Sequence, residues 1–66
     1  MDIVVNGMTC DHCVHAVTTE LLALPEISAV AVDLVPGGAS TVHIDGFATR
    51  DEIRAAIDEA GYELID

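Results

Sequence analysis

Hydrophobic and polar positions alternate along this chain with two different periods. Ile3 and Val5 alternate with Val4 and Asn6, a period of two that predicts a short strand ended by Gly7. Val14, Val17, Leu21 and Leu24 then fall at helical spacing on one face, and Pro25 is expected to close that helix. The period of two returns in "ISAVAVDL", residues 27–34, which puts Val30, Val32 and Leu34 on one face of a second strand. "PGG" at 36–38 predicts a turn, and "STVHID" a third strand with Val42 and Ile44 inward. Thr49 and Glu52 have capping-box spacing ahead of a helical stripe of Ile53, Ala56, Ile57 and Ala60, with Gly61 placed to end it. "YELI" at 62–65 predicts a last short strand.

The order is β-α-β-β-α-β. Two split βαβ units interleaved in this way give an α+β, ferredoxin-like fold, a four-stranded antiparallel sheet with both helices on one face. Each helix would bury a stripe about 100° wide against the sheet. The opposite sheet face is left to solvent, which suits Asp33, Thr41, His43 and Asp45.

Length narrows the function. The 66 residues are read as one domain, 1–66, with no linker between the halves. A chain this short buries only about 60% of the surface its unfolded form exposes, so a 52% apolar composition has to serve an efficient core. It leaves no room for a cleft between two lobes, and an enzyme is not expected. No run of apolar residues reaches the 18 or so of a membrane span. Met1-Asp2 leads straight into the first strand, with no basic segment and apolar stretch of a signal peptide, so a cytoplasmic chain is expected. The net charge is −10, from 12 acids against Arg50 and Arg54. Nucleic acid and anionic membranes are poor partners for it. The acids keep the surface hydrated, and some could also steer docking to a basic patch on another protein.

The chemistry is concentrated in "GMTCDHC", residues 7–13, which holds the two cysteines of the chain, Cys10 and Cys13. A cytoplasm keeps thiols reduced, and a link between residues three apart would constrain little chain entropy, so a structural disulfide is a poor reading. The pair lies where the first strand passes into the first helix. A helix start presents free N–H groups and partial positive charge, which favour thiolate over thiol. Two thiolates there make a soft anionic pincer suited to Cu(I), and also to Zn(II) and other thiophilic ions. Two cysteines are too few for a closed tetrahedral zinc site, and no second CxxC or His pair completes one. A thioredoxin-like redox protein is the rival from another class. It would need a longer chain, and here no aromatic precedes Cys10 and no proline separates the cysteines.

"GMTCDHC", followed by "VHAV", with "GY" at 61–62 in the same order of elements, resembles the heavy-metal-associated domain family. Within it the chain is similar to the small bacterial copper chaperones, over essentially its whole length. The resemblance implies that Cys10 and Cys13 bind Cu(I) and pass it to a copper-transporting P-type ATPase. It implies Met8 as a buried anchor of the loop and Tyr62 as the aromatic near the metal. His15 stands where the family often has lysine, and Glu26 where a glycine often follows the proline. Thr9 precedes Cys10 where zinc-exporting relatives tend to carry Asp, so the resemblance leans to copper.

Other side chains have plainer readings beside the chemical ones. Met8 could ligate Cu(I) through sulfur, but core filling is expected. His12 could be a third ligand, though on a first helical turn it is expected to face solvent. His15 is expected to be exposed, close to the seam of a metal-dependent homodimer formed across the Cys10/Cys13 loop. His43 is expected to be solvated on the open sheet face. A chain beginning at Met1 and ending just past the last strand favours a free-standing carrier. The alternative is a metal-binding module of a copper ATPase or of a mercuric-ion handling protein, with the same fold and ligands.

Overall fold

In a computed structural model that describes residues 1–65, the order of elements is the expected one; the expected domain boundary at Asp66 lies outside these residues. Strand β1 spans Asp2–Asn6, helix α1 Asp11–Leu22, β2 Ile27–Asp33, β3 Ala39–Gly46, α2 Arg50–Ala60 and β4 Glu63–Leu64. All pairings are antiparallel, in the sheet order β2-β3-β1-β4. Each βαβ unit is thereby split by a strand of the other, with β3 between β1 and β2, and β1 between β3 and β4.

The period-two segments bury alternate residues on one side. Ile3 and Val5 of β1 and Val42 and Ile44 of β3 are buried, while Asp2, Asn6, His43 and Asp45 are exposed. Val17 and Leu21 of α1 and Ile53, Ala56 and Ile57 of α2 close over them, joined by Met8, Ile27 and Ala48. Burying an aliphatic side chain of this size contributes roughly 1.5–3 kcal/mol relative to leaving it exposed. Val30, Val32 and Leu34 pack against this core as a half-buried fringe.

Helix α2 starts and stops as its sequence predicts. The Thr49 side chain accepts the Glu52 N–H at 3.2 Å, and the Glu52 carboxylate accepts the Thr49 N–H at 3.0 Å. Gly61 ends the helix in the left-handed region at φ 92°.

Helix α1 is shorter than expected. It stops at Leu22, and Ala23 to Glu26 form the turn that leads into β2. Proline restricts the residue before it as well as itself, so the helix unwinds ahead of Pro25. Leu24 therefore packs on the core from the turn and not from the helix face. Strand β4 is also shorter than "YELI", at Glu63–Leu64, although the Ile65 N–H still donates to the Val4 carbonyl at 2.8 Å. At the far end of β3, Gly46 has φ +118° and faces an irregularity between Ile27 and Ala29. A Cβ at Gly46 would overlap the Glu26 carbonyl oxygen and lie 2.8 Å from the Ile27 Cα, so a side chain has no place there.

On the open sheet face the solvated His43 of the sequence reading has partners. Its Nδ1 lies 3.0 Å from an Asp2 carboxylate oxygen and its Nε2 lies 2.8 Å from one of Asp33. Only the imidazolium can donate from both nitrogens at once. Asp33 first, then Asp2, raise its pKa above the ordinary histidine value.

Candidate metal centre

The loop from β1 to α1 is fixed at both ends. Met8 is wholly buried, so it anchors the loop in the core and is withdrawn from the surface where a metal would bind. Two residues on, Cys10 is the N-cap of α1, in extended conformation at φ −155° and ψ 179°. Its carbonyl accepts the N–H groups of Cys13 at 3.0 Å and Val14 at 3.2 Å, which start the helix. Its side chain makes no capping bond, as a serine or aspartate would, and the sulfur stays available. Cys13 follows in the first turn, half-buried beside the core.

Both cysteines are free, with their sulfurs 3.9 Å apart. A disulfide bond is about 2.05 Å. One ion with two opposed metal–sulfur bonds of about 2.3 Å, the length found for zinc, would span roughly 4.6 Å. The observed gap lies between these limits, so a bent arrangement or a small rotation of one thiol admits a shared ion.

The Cys13 thiol is held down to about 6 from an ordinary 9.0. The Tyr62 hydroxyl is the first cause, followed by the backbone and hydroxyl of Thr9 and then the backbone of Cys10, while burial acts the other way. Thr9 Oγ1 lies 3.6 Å from the sulfur. The same contact raises the Tyr62 phenol above its ordinary value. The ring of Tyr62 lies over the start of the loop, where a Cβ added to Gly7 would be 3.6 Å from its Cδ1. This lowering favours the Cys13 thiolate, the form that binds soft cations.

A helix start by itself favours thiolate over thiol. In the structure the largest influence comes from the other end of the chain. In the sequence Thr9 marks copper over zinc by resemblance alone. A hydroxyl directly before a CxxC was the signal for its second role, as a donor to the thiolate.

His12 and His15 are both exposed on α1. Among the described residues no three His, Cys, Asp or Glu side chains gather in a way that could hold a metal. The structure thus brings Cys10 and Cys13 together, with Thr9 and Tyr62 beside them, and assembles no third ligand among the described residues. Such a site can hold one soft ion by two sulfurs and leave one side of it open.

Known proteins resemble this chain in sequence and in fold. Over 60 residues the chain is 39% identical to the copper chaperone CopZ of Staphylococcus saprophyticus, covering 91% of this chain and 88% of that protein. It is 33% identical over 61 residues to human copper-transporting ATPase 2, covering 92% of this chain but 4% of that much longer protein. Its fold matches the yeast copper transporter domain Ccc2a, solved in apo and Cu(I)-loaded states, with a TM-score of 0.70 and 29% identity, over 98% of this chain and 94% of that one. The model of the heavy-metal-associated domain matches residues 3–63, and the chain belongs to that family.

Proposed function

We propose that the protein, as one domain over residues 1–66, is a Cu(I) carrier. Cys10 and Cys13 hold the ion, and the acceptor is the metal-binding domain of a copper-transporting P-type ATPase. The observation that carries this reading is the pair of free thiols 3.9 Å apart, with Cys13 held at about 6. A transported ion must be bound firmly and released quickly. Two thiolates at the surface leave space for an incoming thiolate to join the ion before either original bond breaks. Cu(I) then passes through a three-coordinate bridge and is never free in solution. Likeness both to a copper chaperone and to a segment of a copper-transporting ATPase supports the acceptor, because donor and acceptor then share one fold.

The proposed carrier role is one of transport, without turnover of a bond in a substrate, and its proposed location is the cytoplasm. No helix among the described residues is long and apolar enough to cross a membrane. The open side of the bound ion could also take a thiolate from a second copy, giving a copper-dependent homodimer across the loop with the exposed His15 near the seam.

Stopped-flow transfer of Cu(I) from the loaded protein to a dithiol acceptor tests the mechanism. Ligand exchange gives a rate that rises with acceptor concentration and exceeds spontaneous release. A rate equal to spontaneous release would remove the bridged step. The ATPase matches support a second reading, a metal-binding module of a longer transporter. Its distinguishing measurement is the mass of the native protein in cell extract.

A further inference from the structure

We propose that Ser40, at the start of β3, is a positioning residue for the cysteine loop and acts on it through the 35–38 turn. The inference rests on the carrier reading for its functional consequence, but not for its structural one.

Ser40 is the buried polar residue among the described ones, with no exposed surface. It lies opposite Val5 in the β1–β3 register and points into a core otherwise made of Val, Leu, Ile, Met and Ala. A hydroxyl in such a place is unfavourable unless it is hydrogen-bonded. Its Oγ accepts the Val35 N–H at 2.9 Å and lies 3.4 Å from the Val35 carbonyl, to which it can donate. That carbonyl also accepts the Gly38 N–H at 2.9 Å, so both polar groups of Val35 are tied and the turn is closed on itself.

The closed turn aims one N–H outward. Gly37, at φ +75°, donates to the Met8 carbonyl at 2.9 Å. Glycine is the residue that reaches this left-handed conformation without strain. Met8 is thus gripped twice, by its side chain in the core and by its carbonyl from the turn. From Met8 the chain needs only Thr9 to reach Cys10, whose own carbonyl begins α1. Cys13 is fixed by the helix, whereas Cys10 sits at its boundary. The separation of the two sulfurs therefore depends on where Met8 is held. Ser40 touches neither sulfur, and its effect passes through Val35, Gly37 and Met8.

The test uses the full chain. Ser40→Ala removes the hydroxyl and leaves the Val35 N–H unpaired. Amide hydrogen exchange at Gly37 should speed up by more than the change in global stability accounts for. Cu(I) affinity, measured by chelator competition, should fall about tenfold, the lower end of what outer-shell partners typically contribute to a metal site. Ile27→Val, in the core near the opposite end of the fold, is the control for lost stability and should leave affinity and Gly37 exchange unchanged. Ser40→Thr and Ser40→Val, alike in shape but not in hydrogen bonding, repeat the comparison if Ser40→Ala does not fold. Thr should retain Gly37 protection and Val should lose it. Unchanged Gly37 exchange in Ser40→Ala, equal exchange in the Thr and Val variants, or an equal affinity loss in the control would overturn the proposal. If the parent protein bound no Cu(I), the carrier reading would fail alone, and the exchange data would still judge the role of Ser40.

Discussion

The Tyr62 hydroxyl is the largest single influence on the Cys13 thiol, although the two residues lie near opposite ends of the chain. The αL turn at Gly61 delivers Tyr62 to the loop, and the Tyr62 N–H is held by the Ile57 carbonyl at 3.1 Å. Tyr62→Phe keeps the ring and removes the hydroxyl. The Cys13 pKa should then rise from about 6 toward its ordinary value, with Thr9 still holding it part of the way down. The pH dependence of thiol alkylation in Cys10→Ser and in Cys10→Ser/Tyr62→Phe reads this shift. An identical profile in the two would show that the Tyr62 hydroxyl does not hold the Cys13 thiol down.

The Cys13 shift has a consequence for stability in the metal-free protein. Its folded pKa is depressed, so the unfolded chain binds more protons between about pH 6 and 9. Its contribution is fully present above the ordinary value of 9.0 and is lost as pH falls through about 6. His43 has the opposite sign. Its folded pKa is raised above 6.5, so its contribution is full below that value and is lost as pH rises through the folded pKa. His43→Gln should flatten that loss in thermal melts, and Cys13→Ser should flatten the gain toward pH 9. A His43→Gln melt curve with the parent's pH dependence would show that the two ion pairs do not hold in solution.

The acids make a kinetic prediction. Glu59 and Glu63 are exposed on either side of Gly61-Tyr62, at the end of the fold that carries the cysteines. If they steer docking, transfer to a protein acceptor slows as salt rises, since the Debye length is only about 8 Å at physiological ionic strength. Glu59→Gln/Glu63→Gln should slow transfer at low salt and reduce its salt dependence. Kinetics indifferent to both changes would leave these acids with a role in solubility alone.

The capping box at α2 gives a stability prediction with a size. Thr49→Ala removes the acceptor for the Glu52 N–H and should lower unfolding free energy by about 1 kcal/mol. Chemical denaturation reads it directly, and Cu(I) affinity should stay unchanged because Thr49 lies at the other end of α2 from Tyr62. A loss of affinity as large as the loss of stability would show that the site depends on the whole helix.

Features encoded over a few residues were legible in the sequence. The Thr49–Glu52 box, the Gly61 stop, the alternation in β1 and β3 and the CxxC spacing all lie within one turn or one strand. Features set by register between distant segments were not. Asp2 faces His43 only because β1 and β3 pair in a particular register, and Ser40 reads as one more polar residue until Val35 is seen beside it. Tyr62 was placed near the metal by family resemblance, but its effect on Cys13 depends on a contact that no local pattern encodes. The early end of α1 does not show in its apolar stripe, because Pro25 acts on the residue ahead of it as well as at its own position.

Two-thiolate ligation is tested by Cu(I) binding in single-cysteine variants. Cys10→Ser and Cys13→Ser should each keep the circular dichroism of the parent, since neither side chain belongs to the buried core. In competition with a strong Cu(I) chelator, the parent should hold one ion per chain and each variant should hold none, because a single thiolate cannot complete the two-sulfur site. A folded single variant that still held Cu(I) against the chelator would rule out ligation by the two cysteines together.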